Sequence, residues 1–177
     1  MPECLLPVRP QAGAVFAAEP PGDGEHAPLP PGAVLAFDFG LKRIGVALGM
    51  QLGAGRPGPA RALTTIAGEA NDARFAAIAG LIAEWQPVLL LVGRPLNEDG
   101  TPHEMTARCE RFAKQLRGRF RLPVEHIDER FSSTEADANL RERGLSWQER
   151  KAQVDAEAAL VILHSWFELH ADSRTTA

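Results

Sequence analysis

Four carboxylates stand at positions where a charge could do chemistry. Asp38 interrupts the apolar run Ala33-Val34-Leu35-Ala36-Phe37-Asp38-Phe39-Gly40, Asp128 and Glu129 follow the run Val124-Glu125-His126-Ile127, and Asp155 lies near the beginning of the closing helical segment. Moving an unpaired carboxylate out of water costs on the order of several kcal/mol, so Asp38 needs a cation, strong donors or an opening to a cleft. Carboxylates brought together from distant parts of a chain form a divalent-metal site suited to phosphoryl chemistry. Mg2+ prefers hard oxygen ligands and keeps water positions open for substrate phosphates. Each acid also has a plainer explanation. Asp38 could bond amides of the glycine turn that follows it, Asp128 and Glu129 could be a solvated strand end, and Asp155 could meet the dipole in the first turn of its helix.

The elements that would position these acids follow from periodicity. Residues 33–39 and 44–50 read as strands joined by the short turn Gly40-Leu41-Lys42-Arg43, hence as antiparallel neighbours. A Gly/Pro-rich loop over 51–60 precedes a third short strand at 62–66. Helical spacing of Phe75, Ile78, Ala79, Ile82 and Trp85 predicts a helix over 71–85, stopped by Pro87. Val88–Gly93 is short and apolar enough for a doubly buried strand. A helix over 102–118 and a fifth strand over 124–127 follow. Ser132 with Glu135, and Ser146 with Glu149, match capping boxes. The final helix, ending near Glu168, should cover the sheet with Val154, Ala158, Val161 and Ser165, flanked by Ile162, Trp166 and Leu169. The simplest solution is an α/β fold with a mixed five-stranded sheet, Asp38 on a central strand and later strands added parallel through helical crossovers.

Composition narrows the function. The 177 residues suit one domain with a full core. Hydrophobic residues at 45% and charged residues at 24% are ordinary for a soluble protein, and no apolar stretch approaches the ~20 residues of a bilayer span, so no membrane role is expected. Cys4 and Cys109 show no zinc spacing and fit a reducing cytoplasm. A net charge of −4 requires any polyanion site to be local. The Pro/Gly-rich residues 1–32 read as a disordered extension, 33–170 as the folded domain and 171–177 as a flexible tail. Arg108, Arg111, Lys114, Arg117, Arg119 and Arg121 read first as a solvated helix face, and His126 as a packed or edge residue. Arg43, Arg61, Arg130 and Lys151 are candidates for phosphate contacts.

Four blocks carry a resemblance. They are Leu35–Gly40 with Arg43–Ala47, Leu91–Thr101 with its Gly93-Arg94-Pro95-Leu96-Asn97-Glu98-Asp99-Gly100-Thr101 run, Asp128–Ala136, and Lys151 followed by Val154-Asp155. In this order, over residues 33–169, they resemble the YqgF family of Holliday-junction-resolvase-like proteins and pre-16S rRNA nucleases. The resemblance implies an RNase H-like sheet whose first three strands are antiparallel, flanked by helices. It also implies a metal-dependent nuclease site of Asp38, Glu129 and Asp155, with Asp128 as a further metal-ligand candidate and Mg2+ or Mn2+ as cofactor. Arg94 receives no role from it. The proline-rich start and the loop at 53–59 depart from the family's compact form.

The function expected is cleavage of nucleic acid in the cytoplasm, with pre-16S rRNA processing favoured by the resemblance. Two alternatives remain at this stage: a junction or other DNA nuclease acting on branched or single-stranded DNA, which would call for a homodimer with two symmetric sites, and a non-catalytic nucleic-acid-binding or transcription-associated module. A nucleotide-binding protein of the actin and sugar-kinase kind would need a second such domain, for which the chain is too short.

Overall fold

A computed structural model describes residues 29–53, 56–129 and 147–172; for 147–152 and 171–172 only the helical backbone is described. The boundaries expected at 1–32 and 171–177 therefore fall largely outside the described residues, as do Ser132, Glu135 and Ser146 of the expected capping boxes.

Five strands form one sheet: β1 (Gly32–Phe39), β2 (Arg43–Gln51), β3 (Pro57–Ala67), β4 (Leu89–Arg94) and β5 (Val124–Asp128). Their order across the sheet is β3-β2-β1-β4-β5, so β1 is central. β1 pairs antiparallel with β2 and parallel with β4; β2 pairs antiparallel with β3, and β4 parallel with β5. This is the RNase H-like arrangement that the resemblance implies, with three antiparallel strands followed by two added through helices. The connecting helices are α1 (Asn71–Trp85) and α2 (Glu104–Phe120), and α3 (Trp147–Asp172) is the last of the described helices. None of the described helices is long and apolar enough to cross a membrane.

The ends of α1 and α2 are locally encoded. Gln86 takes a left-handed conformation (φ 48°), its amide donating to the Ile82 carbonyl at 2.9 Å, and Pro87 follows. At the start of α2, His103 Nδ1 accepts from the Met105 amide at 3.2 Å, while Thr106 Oγ1 accepts from the His103 amide at 2.9 Å.

Three details differ from the sequence expectation. β3 begins at Pro57 rather than near Ala62, which shortens the Gly/Pro-rich loop; β3 is an edge strand, where a proline's missing N–H need not interrupt the ladder. Leu169 is 59% exposed and Val154, Val161 and Ser165 are only half-buried; Ala158, Ile162 and Trp166 are buried as expected, joined by Ala156, Ala159, Leu163 and Phe167. Asp155 lies beyond the second turn of α3, where the favourable field of a helix N-terminus has faded.

The sheet separates two cores. α1 and α2 cover one face, burying Leu35, Phe37, Ile44, Val46, Phe75, Ile78, Leu90, Val92, Phe112 and Leu116. α3 covers the other, burying Val34, Ala36, Ala47, Leu89, Leu91, Ile127, Ile162 and Trp166. Strand alternation thus assigns every side chain to a face.

Candidate active site

Alternation decides where the acids point. Val34 and Ala36 face α3, so Asp38 does too, at the C-terminal end of the central strand. On β5, Ile127 packs under α3 and Glu125 Oε2 accepts from Trp166 Nε1 at 2.7 Å, which places residue 129 on the same side. The Glu129 amide donates to the Arg94 carbonyl at 3.3 Å, extending the ladder past the strand end and carrying Glu129 toward Asp38. Asp128 falls on the opposite parity and is exposed.

Two glycines make the room. Gly45 lies directly opposite Asp38 in the β1–β2 ladder, and a Cβ there would overlap the Asp155 carbonyl oxygen. The backbone of α3 therefore rests on β2 at residue 155. Gly93, one step past the Phe37–Val92 pair on β4, would place a Cβ on Glu129 Oε1 and 2.6 Å from Ile162 Cδ1. The Glu129 carboxylate lies where the side chain of residue 93 would be. A glycine inside an apolar strand is the sequence signal for such a close approach, although it does not disclose which element comes near.

The electrostatics follow from this crowding. Burial, reinforced by the charge of Asp155, raises the Asp38 carboxyl to about 6. Burial, then Asp38 and Asp128, raises Glu129 to about 8. The Cys109 thiol beneath them is pushed up to about 12 by burial and by Glu129, Asp38 and Glu110, so it is a neutral packing group at neutral pH. Arg43, at the start of β2 on the α3 side, donates from Nε to Asp155 Oδ2 at 2.6 Å.

The turn after Asp38 is fixed from across the sheet. The Gly40 amide donates to the Arg43 carbonyl at 2.9 Å, and buried Arg74 donates to the carbonyls of Gly40 (2.8 Å), Leu41 (2.7 Å) and Gly68 (2.7 Å). Nothing in the sequence singles out Arg74, because a single arginine in the first turn of a helix reads as solvated.

The structure thus brings together Asp38, Glu129, Asp155 and Arg43. It leaves Asp128 on the outer parity. Arg61 sits 5.5 Å over the Trp85 ring of α1, on the other side of the sheet from the acids. Arg130 lies outside the described residues, and the Lys151 side chain is not described. His126 is an exposed residue of the edge strand. Several arginines of the α2 cluster have structural partners: Arg108 pairs with Glu104, Arg117 donates to the Val124 carbonyl at 2.9 Å, and Arg119 stacks 4.3 Å from the Phe75 ring centroid. A cleft of about 300 Å³ lined by Phe39, Arg74, Arg111 and Phe112 also lies on the α1/α2 side.

The donor set suits a hard divalent cation: three carboxylates from β1, the end of β5 and α3, two of them with raised pKa values. Among the described residues no three Asp, Glu, His or Cys side chains are yet gathered tightly enough to grip one ion. One of the three is engaged by the Arg43 guanidinium, itself a cation standing on the ligand.

Comparison with known proteins agrees with the four sequence blocks. A chain 53% identical over 137 residues, 77% of this chain and 91% of that protein, is named "Putative pre-16S rRNA nuclease" in Methylobacillus flagellatus. Relatives of the same name occur in Dechloromonas aromatica (53% identity, 77% and 91% covered) and Burkholderia cenocepacia (50%, 78% and 91%). Among solved structures, Thermus thermophilus RuvC in complex with a Holliday junction substrate superposes with a TM-score of 0.43 at 14% identity, covering 78% of this chain and 96% of that one. Residues 32–169, which hold all four blocks and the three converging acids, match the family described as RuvX, Holliday junction resolvase. The chain belongs to this RuvX nuclease family.

Proposed function

We propose that the protein is a divalent-metal-dependent phosphodiesterase acting on nucleic acid, with an RNA precursor of the small ribosomal subunit as its substrate. The observation that carries this reading is the meeting of Asp38, Glu129 and Asp155 at one end of one sheet face, on three separate elements. The names of the half-identical relatives support the RNA substrate, and the family description supports a second reading, cleavage of branched DNA by two symmetric copies.

Asp38, Glu129 and Asp155 would hold Mg2+ or Mn2+. When bound, the cation supplies a water of lowered pKa and neutralises charge on the phosphate. Asp38, on the central strand between the other two, would be the ligand nearest to both of them. Glu129, laid over Gly93, closes the β5 side, and Asp155, pressed onto Gly45, closes the α3 side. Arg43 at the rim is the phosphate contact best placed by its neighbours; Arg130 and Lys151 are further candidates from sequence. Asp128 stays a peripheral acid whose charge opposes ionisation of Glu129. An rRNA-processing role places the protein in the cytoplasm.

The test is cleavage of a matched panel of pre-16S rRNA fragments, single-stranded RNA and DNA, duplexes and a four-way junction, with Mg2+, Mn2+ or chelator. Asp38→Asn should lower cleavage at least about 10²- to 10³-fold while the far-UV circular dichroism stays that of wild type. Wild-type turnover in Asp38→Asn would reject the site, and preference for the junction would select the second reading. Nucleic-acid binding with no cleavage of any panel member would favour a non-catalytic module.

A further inference from the structure

The contact between Arg43 and Asp155 is more than a surface ion pair. It joins the start of β2 to α3 inside the cluster of acids, through a single bond from Nε to Oδ2 at 2.6 Å. The backbones on both sides are fixed. The Arg43 carbonyl accepts from Gly40 in the turn that Arg74 secures, and the Asp155 peptide rests on Gly45. The two side chains have more freedom. They keep 33% and 24% of their surface in water, and among the described residues the two terminal nitrogens of Arg43 make no hydrogen bond. A half-buried pair held by one bond and still reached by water can give way to a more strongly charged partner. The guanidinium also serves one carboxylate of three, while Asp38 and Glu129 lie beside each other deeper in the site. A divalent cation between the three acids would offset more charge than Arg43 does.

We infer that Arg43 is an internal stand-in cation, holding the Asp155 carboxylate while the site is free of metal and surrendering it when the metal enters, which releases the guanidinium for a substrate phosphate. The inference rests on the metal-site reading above. It differs from a permanent positioning role, in which Arg43 would keep Asp155 oriented with metal bound and its loss would weaken metal binding. In the exchange, arginine and metal compete for the same oxygen. Removing Arg43 then tightens metal binding, and metal removes the Arg43 hydrogen bond.

The full chain, stripped with chelator, is titrated with Mg2+ by calorimetry, and the arginine Nε–Hε signals are followed by 15N NMR. The Arg43 signal, identified by its loss in Arg43→Lys, should be protected without metal and lose that protection at saturating Mg2+. Arg43→Gln should bind Mg2+ roughly three- to tenfold more tightly than wild type. Lys42→Gln removes the same charge from the exposed neighbouring position and should change affinity less than twofold. A protected Arg43 signal that survives saturation overturns the exchange. So does Arg43→Gln binding no tighter than Lys42→Gln. The NMR arm needs wild type for its result, so poor folding of Arg43→Gln leaves the inference testable. Mg2+ binding that is absent in wild type, or unchanged in Asp38→Asn, rejects the metal site itself. Binding lost in Asp38→Asn but unaltered by Arg43→Gln rejects the exchange alone.

Discussion

Both faces of the sheet bury an apolar core, and they differ most at the strand ends where the acids meet. Toward α1 and α2 the strands present bulky side chains, and Phe112 alone stacks on Phe39 at 4.7 Å and meets Phe37 and Phe75 at 6.0 Å. Helix and sheet are kept apart by rings, and the gap is filled with carbon. Toward α3 the strands bury Val34, Leu89, Leu91 and Ile127 as well, but around the acids they present Ala47, Gly45 and Gly93, and Ala156 and Ala159 on the helix answer them. Here a helix backbone comes down onto the sheet, and a carboxylate of the helix arrives beside a carboxylate of a strand. Both faces contribute a core, and the second also positions charge. Small residues are the means by which the second does so, because they let acids from separate elements meet at one strand end.

Cutting into the filled face should cost the most stability. Phe112→Ala removes the ring on which three others pack and is expected to destabilise by about 3–5 kcal/mol in urea unfolding. The stabilisation gained on adding Mg2+ should keep its size, because the acids lie across the sheet. Loss of that Mg2+ effect in a still-folded Phe112→Ala protein would show that the faces are not independent.

The converse change is Gly45→Ala. Its Cβ would meet backbone atoms of residues 155 and 156, which cannot rotate away, so α3 must lift. The expected cost is about 2–3 kcal/mol, with the Mg2+ stabilisation lost as Asp155 is carried off. A protein with unchanged stability and Mg2+ response would mean that α3 does not rest on the sheet at this residue.

These particulars show what the sequence could and could not reveal. β1, β2 and β4 are continuous apolar runs, so their existence and the central place of Asp38 follow from burial alone. The start of β3 was hidden because Pro57 and Pro59 signal a loop, and only a place at the sheet edge makes them compatible with a strand. The choice between Asp128 and Glu129 depends on strand parity at the end of β5, which neighbouring acidic residues do not disclose. The bond between Arg43 and Asp155 spans two elements far apart in the chain, and no local pattern encodes it.

The charged face should also announce itself in pH. In the folded, metal-free protein Asp38 titrates near 6 and Glu129 near 8, above their ordinary values of 3.8 and 4.5. Between those limits the folded state binds more protons than the unfolded one, so stability must fall as pH rises. The favourable contribution is complete below about pH 4 and gone above about pH 8. Glu129→Gln removes the larger share and should flatten the profile, exceeding wild-type stability at pH 8 by on the order of 2 kcal/mol without metal. Parallel pH profiles for the two proteins, from urea unfolding in chelator, would contradict the crowding of charge on this face.

The smallest change calibrates the others. Gly80 lies on the exposed side of α1, where an added Cβ meets nothing within 4 Å, and its backbone is ordinary helix. Alanine there restricts the unfolded chain without disturbing the folded one, so Gly80→Ala should stabilise by about 0.5–1 kcal/mol. The same chemical substitution is thus predicted to carry opposite signs at Gly80 and Gly45, and helix propensity or general glycine entropy cannot produce that reversal. Contact with the α3 backbone can. If both variants shift the urea midpoint in the same direction, close approach of helix to sheet is not what places Asp155 beside Asp38.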